Sequence, residues 1–131
     1  MQGTVTRKLY AAPATGTTND AAHFDVSADM WLLGINAAVM MTTTTAGDNM
    51  CFEISTASQN QVLMNDALNV LAYFHAGLSL ITSGANQPTV NATCSPLKCY
   101  IPRGTRVYLH TVGNKTTGSC FGNFVFHFAY A

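Results

Sequence analysis

The 131-residue sequence predicts an all-β fold, an antiparallel two-sheet sandwich of about eight strands. Three observations point to it. Apolar residues recur at a period of two in several separate stretches, as strands with one buried face require. Polar segments rich in Gly, Asn and Pro, such as TTTTAGDN, SGANQP and GNKTTG, divide those stretches and read as turns. Nothing repeats at the roughly 20 to 50-residue spacing of solenoids, so the strands must hide their apolar faces between two layers or in a closed barrel.

Taken in order, residues 1–20 (MQGTVTRKLYAAPATGTTND) are expected to be an N-terminal arm or first strand, and residues 21–131 the domain proper. In HFDVSADMWL, Phe24, Val26, Ala28, Met30 and Leu32 fall on one strand face, opposite Asp25, Ser27, Asp29 and Trp31. In MCFEIST, Phe52, Ile54 and Thr56 oppose Cys51, Glu53 and Ser55. Residues 61–81 fit both periods. Leu63, Ala67, Val70, Leu71 and Phe74 have helical spacing, whereas Leu68, Val70, Ala72, Phe74, Ala76, Leu78 and Leu80 alternate as in a strand. The strand is preferred, with Asn65-Asp66 closing a hairpin, and a short helical turn over 65–71 is the alternative. In IPRGTRVYLH, Pro102 sets its own φ and Gly104 accepts a positive one, so a turn leads into a strand. That strand points Val107 and Leu109 one way and Tyr108 and His110 the other. The final FVFHFAY puts Phe124, Phe126, Phe128 and Tyr130 on one face, four aromatics entering one core.

Composition narrows the function. Charged residues make up 9 % of the chain, against about 25 % in a typical soluble domain. Six basic and six acidic residues cancel, so there is no electrostatic footprint for nucleic acid or an anionic membrane. Wetting falls to 17 Thr, 10 Asn and 7 Ser. No apolar run approaches the roughly 18 residues of a membrane helix. A neutral surface favours association. The first residues lack the apolar core of a secretory signal, which points to a protein carried in a particle and released by lysis, with an extracellular domain as the alternative.

Candidate sites are few. Cys51, Cys94, Cys99 and Cys120 admit three disulfide pairings, or remain small buried thiols. SPLK between Cys94 and Cys99 reads as a Pro-containing turn that brings this pair within bridging range. Zinc-type cysteine spacing is absent. His23, His75, His110 and His127 include no H-x-H pair, and Glu53 is the only glutamate, so a cupin-type metal site lacks ligands. Asp25 and Asp29 would sit about 13 Å apart along a strand, too far to act as an acid/base pair. No nucleophile elbow or P-loop occurs. These absences predict a non-enzyme without metal or cofactor. Trp31 projects opposite Phe24 and Met30 and, with Tyr108, His110 and His127, forms the expected subunit contact. A bulge near Gly34 would instead turn Trp31 and Leu33 inward with Ile35.

IPRGTRVYLH, followed after a polar loop by FGNFVFHFAYA, resembles the last two strands of small jelly-roll proteins on phage and virus surfaces. It is also similar to C1q/TNF-type trimeric domains. The resemblance spans residues 101–131. It implies a jelly-roll topology, a homotrimer formed through one sheet face, and a place on the surface of a virion. The chain would then be a capsid decoration or a minor capsid or fibre component, with the major capsid protein or another virion component as its partner. On the C1q/TNF or lectin side, the same resemblance implies a secreted recognition module for protein or glycan.

Overall fold

The computed structural model describes residues 3–13, 20–43, 47–59, 69–77, 87–116 and 118–131. Eight strands run in the order β1 (Thr4–Ala11), β2 (Asp20–Asp25), β3 (Met30–Thr43), β4 (Asn49–Ser55), β5 (Val70–Gly77), β6 (Gln87–Ile101), β7 (Arg106–Asn114) and β8 (Ser119–Tyr130). They build two four-stranded sheets, β1-β8-β3-β6 and β2-β7-β4-β5. All pairings are antiparallel. Apart from β4 to β5, every connection passes from one sheet to the other, which is the jelly-roll topology. No helix occurs among the described residues. Residues 4–11 are a strand of the sandwich, hydrogen-bonded along β8 from Thr4↔Ala129 to Ala11↔Gly122.

The core follows from alternation. Along β8, Cys120, Phe124, Phe126 and Phe128 point inward and are buried. Their rings meet aromatics from the other sheet. Phe126 and Phe128 meet Phe24 of β2 edge-on, with centroids 5.1 and 5.9 Å apart. Phe124 lies 5.5 Å from both Phe52 of β4 and Phe74 of β5. Gly122 makes room for this: a Cβ there would stand 2.7 Å from a ring carbon of Phe124 and 3.0 Å from one of Phe52. Where β1 approaches β2, the Arg7 guanidinium caps the Phe24 ring at 4.5 Å.

The expected turn at IPRG is present. Thr105 N–H donates to the Pro102 carbonyl at 3.2 Å and Gly104 has φ 86°, as the third residue of a type II turn requires. The turn is pinned to the β2–β3 corner, where Gly104 N–H donates to Val26 O and Arg103 N–H to Asp29 Oδ1, each at 2.8 Å.

Four expectations need correction. HFDVSADMWL is two strands rather than one, because the chain leaves the second sheet after Asp25 and enters the first at Met30. Phe24, Val26, Met30 and Leu32 are still all buried, because both sheets face the same core. The segment around Cys94 and Cys99 is the interior of β6 rather than a turn. Pro88 and Pro96 are tolerated because β6 pairs with β3 alone and is an edge strand, where a missing N–H faces away from the ladder. Tyr130 is 40 % exposed at the end of the sandwich, so three aromatics of β8 fill the core instead of four. The bulge near Gly34 exists, but it leaves Trp31 outside. The register slips between Leu32 and Gly34, Leu33 is extra, and Leu32 and Ile35 therefore both reach the core. Of the ambiguous 61–81 stretch, Val70–Gly77 is strand β5, whereas the Asn65-Asp66 hairpin lies outside the described residues.

Truncating Phe126 should create a cavity between the layers, and Phe126→Ala is expected to cost ~3–5 kcal/mol. Gly122→Ala must displace two buried rings, for a loss of ~1–3 kcal/mol. Chemical denaturation of the two variants checks both numbers. An unchanged midpoint for Phe126→Ala would contradict the packing described.

Candidate functional site

Each sheet turns one face inward, which leaves two outer faces, and they differ in chemistry. The outer face of β2-β7-β4-β5 gathers titratable groups. Asp25 and Arg106 pair across β2 and β7 in a two-pronged ion pair, Nε–Oδ1 2.8 Å and Nη2–Oδ2 3.1 Å. The Arg106 hydrogen bond holds the Asp25 carboxyl below its usual range despite a partly opposing desolvation. Next to it His23, Tyr108 and His110 form a row, with the Tyr108 and His110 rings stacked at 5.4 Å. Glu53 is in register with His110 on one side and Tyr73 on the other.

Part of this face is sealed. Glu53, Ser55 and His110 are each 0 % exposed although alternation points them away from the core. The chain after β4 turns back over Ser55 and His110: His110 Nε2 donates to the Ala57 carbonyl at 2.8 Å, and Ser55 Oγ accepts from Ala57 N–H at 2.9 Å. Burial pushes the Cys51 thiol in this cluster up to about 12, against a hydrogen bond with Tyr73. Burial also raises Cys120, in the core, to about 11. Thiols held protonated in this way are poor nucleophiles and poor ligands.

The outer face of β1-β8-β3-β6 is different. Its register places Thr4, Ala129, Trp31 and Tyr100 in one rung and Tyr10, Asn123, Ala38 and Ala92 in another. Across the six outward rungs from Trp31 to Thr42, the charged residues are Lys8, in register with Val125, and Lys98, which falls at the register slip of β6. Trp31 is half-buried there, edge-on to Tyr100 at 5.4 Å, with Lys98 Nζ 5.1 Å from its ring centre. Asp29 accepts a hydrogen bond from the Tyr100 hydroxyl and, after desolvation, is the main reason its pKa is raised. Tyr10 and Phe121 lie 6.5 Å apart. A shallow groove of about 370 Å³ runs beside Tyr10, Asn123 and Val125. Asn36 Nδ2 and His127 Nε2 lie 3.1 Å apart in a hydrogen bond.

The four residues expected to form one contact are thus divided. Trp31 and His127 stand on the outer face of the first sheet, Tyr108 and His110 on that of the second. His110 is fully buried within its own chain, a correction to its place among surface residues. Alternation gave its direction correctly but carries no information about the segment that covers it. The disulfide expectation is also corrected. Cys51, Cys99 and Cys120 are free thiols. Cys94 and Cys99 lie five positions apart on an extended strand, about 16 Å, far beyond the roughly 7 Å bridging limit. Among the described residues no three His, Cys, Asp or Glu side chains converge as a metal site. Sequence reasoning missed Tyr10, Tyr100 and Phe121; the alternation of β1 and β8 was the available signal.

A second concavity of about 330 Å³ opens at the end of the sandwich that carries the IPRG turn. Thr56, Asn69, Leu71, Cys99, Tyr100, Ile101, Pro102 and Thr105 line it.

No family model and no curated protein matches the sequence. Among solved structures, 99 % of the chain aligns with "Structure of infectious bursal disease virus Gx strain" at 12 % identity and a TM-score of 0.44. The "Crystal structure of infectious bursal disease virus VP2 subviral particle" aligns over the same share at 12 % identity and a TM-score of 0.41. The chain spans about a third of the length of these proteins, 33 % and 32 %.

Thiol titration in denaturant should find all four cysteines reactive whether or not a reductant is added first, and two per chain would contradict the free-thiol assignment. Before denaturation, Cys51 and Cys120 should label far more slowly than Cys99. The Asp25–Arg106 pair sets an acid limit. Because the folded carboxyl titrates below its unfolded value of about 3.9, its contribution is complete above that pH and is lost as the pH falls through the lower folded value. Asp25→Asn should remove this part of the acid sensitivity, measured as thermal midpoint against pH, and the effect should be small because the pair is exposed.

Proposed function

We propose that this chain is a non-enzymatic structural subunit of a virus particle, exposed on its surface as a capsid decoration or a minor capsid or fibre component. In this reading it self-associates, as a trimer by the resemblance of its last strands, and docks on a major capsid protein or another virion component. One observation carries the proposal: the jelly roll presents a whole four-stranded face that is nearly uncharged and set with Trp31, Tyr10, Tyr100 and Phe121. Such a face offers burial rather than chemistry. Jelly rolls serve as capsid, lectin and cupin domains. The cupin use needs an H-x-H pair that the sequence lacks. Self-association is also favoured by zero net charge, which leaves identical subunits without mutual repulsion.

A second reading has its own support. At the end groove, the exposed ring of Tyr100 stands beside the Asn69 amide and the hydroxyls of Thr56 and Thr105. An aromatic face with uncharged hydrogen-bonding groups is the chemistry that captures a sugar, as in a secreted lectin-like module.

Particles purified by density gradient from the organism that encodes the chain are expected to contain it at a fixed ratio to the shell protein by quantitative mass spectrometry. Its absence from them would overturn the virion reading. Sedimentation of the purified chain tests self-association, and a monomer at every concentration would defeat that part. A glycan array decides the second reading: binding abolished by Tyr100→Ala supports it, and no binding rejects it.

A further inference from the structure

We propose that the outer face of β1-β8-β3-β6 seats the same face of a second copy, in a two-fold, face-to-face contact that stacks two sandwiches. The proposal rests on the self-association reading above and adds the surface and its symmetry.

Area is the first argument. Four strands about 4.8 Å apart, with β8 contributing 12 residues at about 3.3 Å each, make a face of roughly 19 by 40 Å, or about 760 Å². A standard stable interface takes about 800 Å² from each partner. The layout also fits. Stable interfaces have an apolar centre and a polar rim. Here the central strands β8 and β3 bring Phe121, Val125, Ala129 and Met40 together with the polar Asn36, Asn123 and His127, while the two lysines, Lys8 and Lys98, sit on the edge strands β1 and β6. The groove beside Tyr10 and Val125 gives a partner's aromatic ring a place to insert.

The occupant follows from charge. The central strands β8 and β3 hold no lysine, arginine or carboxylate, so a strongly charged partner gains nothing over the centre of this face. A second copy brings an equally neutral, equally sized surface. A face that meets itself is isologous and closes at two, whereas a ring of three requires two unlike patches on each subunit. The two-fold contact therefore joins copies in pairs and is compatible with a separate three-fold. The other outer face is a poor candidate for the same role, because the Asp25–Arg106 pair and the segment around Ala57 occupy it.

Sedimentation velocity on the full chain should find an even number of subunits. Ala38→Glu, at an exposed position of the central strand β3 with no lysine in its rung, should halve the assembled mass, with the pairwise dissociation constant raised at least ~30-fold by the unpaired interfacial carboxylate. Tyr73→Glu, on the other sheet and 53 % exposed, should leave the mass unchanged. A second measurement, which needs no charged substitution, is cross-linking with a short bis-maleimide. Asn123→Cys in a Cys94→Ser, Cys99→Ser background, at an exposed central position, should give a covalent dimer in high yield. A trimer, or unchanged association in Ala38→Glu without cross-linking, would overturn the two-fold face yet leave self-association standing. A monomer throughout would overturn both.

Discussion

The contact on which everything else depends is the meeting of β8's inward phenylalanines with Phe24, Phe52 and Phe74 of the opposite sheet. Two sheets packed face to face stand about 10 Å apart, a gap that large side chains from both layers must fill by interdigitation. Phe124, Phe126 and Phe128 supply three of the six rings in this contact from a single strand flanked on both sides, by β1 and β3. Gly122 next to them leaves the space that Phe124 and Phe52 share. Once these rings are committed inward, the period of two commits Phe121, Val125, His127 and Ala129 outward, and the character of the first sheet's surface follows.

The two outer faces divide the limited polar chemistry of this chain very unevenly. With so few charges available, gathering Asp25, Glu53, Arg106, His23 and His110 on the second sheet leaves the first sheet almost bare of them. The gathered groups do not become a reactive centre. Glu53 and His110 are fully buried, His110 beneath the segment after β4, and Cys51 is held as a thiol. Buried polar groups that are bonded to a covering segment define its position more than they stabilise it. A similar clip acts at the other end of the sandwich, where Asp48 accepts hydrogen bonds from the N–H and hydroxyl of Thr116. This holds the β3–β4 and β7–β8 connections together.

Much of the fold could be read locally. The faces of β3, β4, β7 and β8 follow from alternation, and the IPRG turn from the backbone limits of proline and glycine. Local rules failed where the outcome depends on a distant neighbour. Pro96 argues against a strand until its strand is known to be an edge. Asp25 to Met30 looks like uninterrupted alternation because a chain crossing between two sheets keeps turning its apolar side to one core. His110 points outward by phase and is buried by Ala57, 53 residues away in the chain.

By itself, then, the sequence determined the class of the fold, the inward set of side chains and the absence of charge to spare, because each depends on residue type and a period of two. Only the tertiary structure decided which outward residues share a face and which are covered. It separated Trp31 and His127 from Tyr108 and His110 on opposite sides of the sandwich, and brought Tyr100 beside Trp31 and Tyr10 beside Phe121. Those neighbours come from strands far apart in the chain, and strand order is set by how the whole set of apolar faces closes on itself rather than by any one segment.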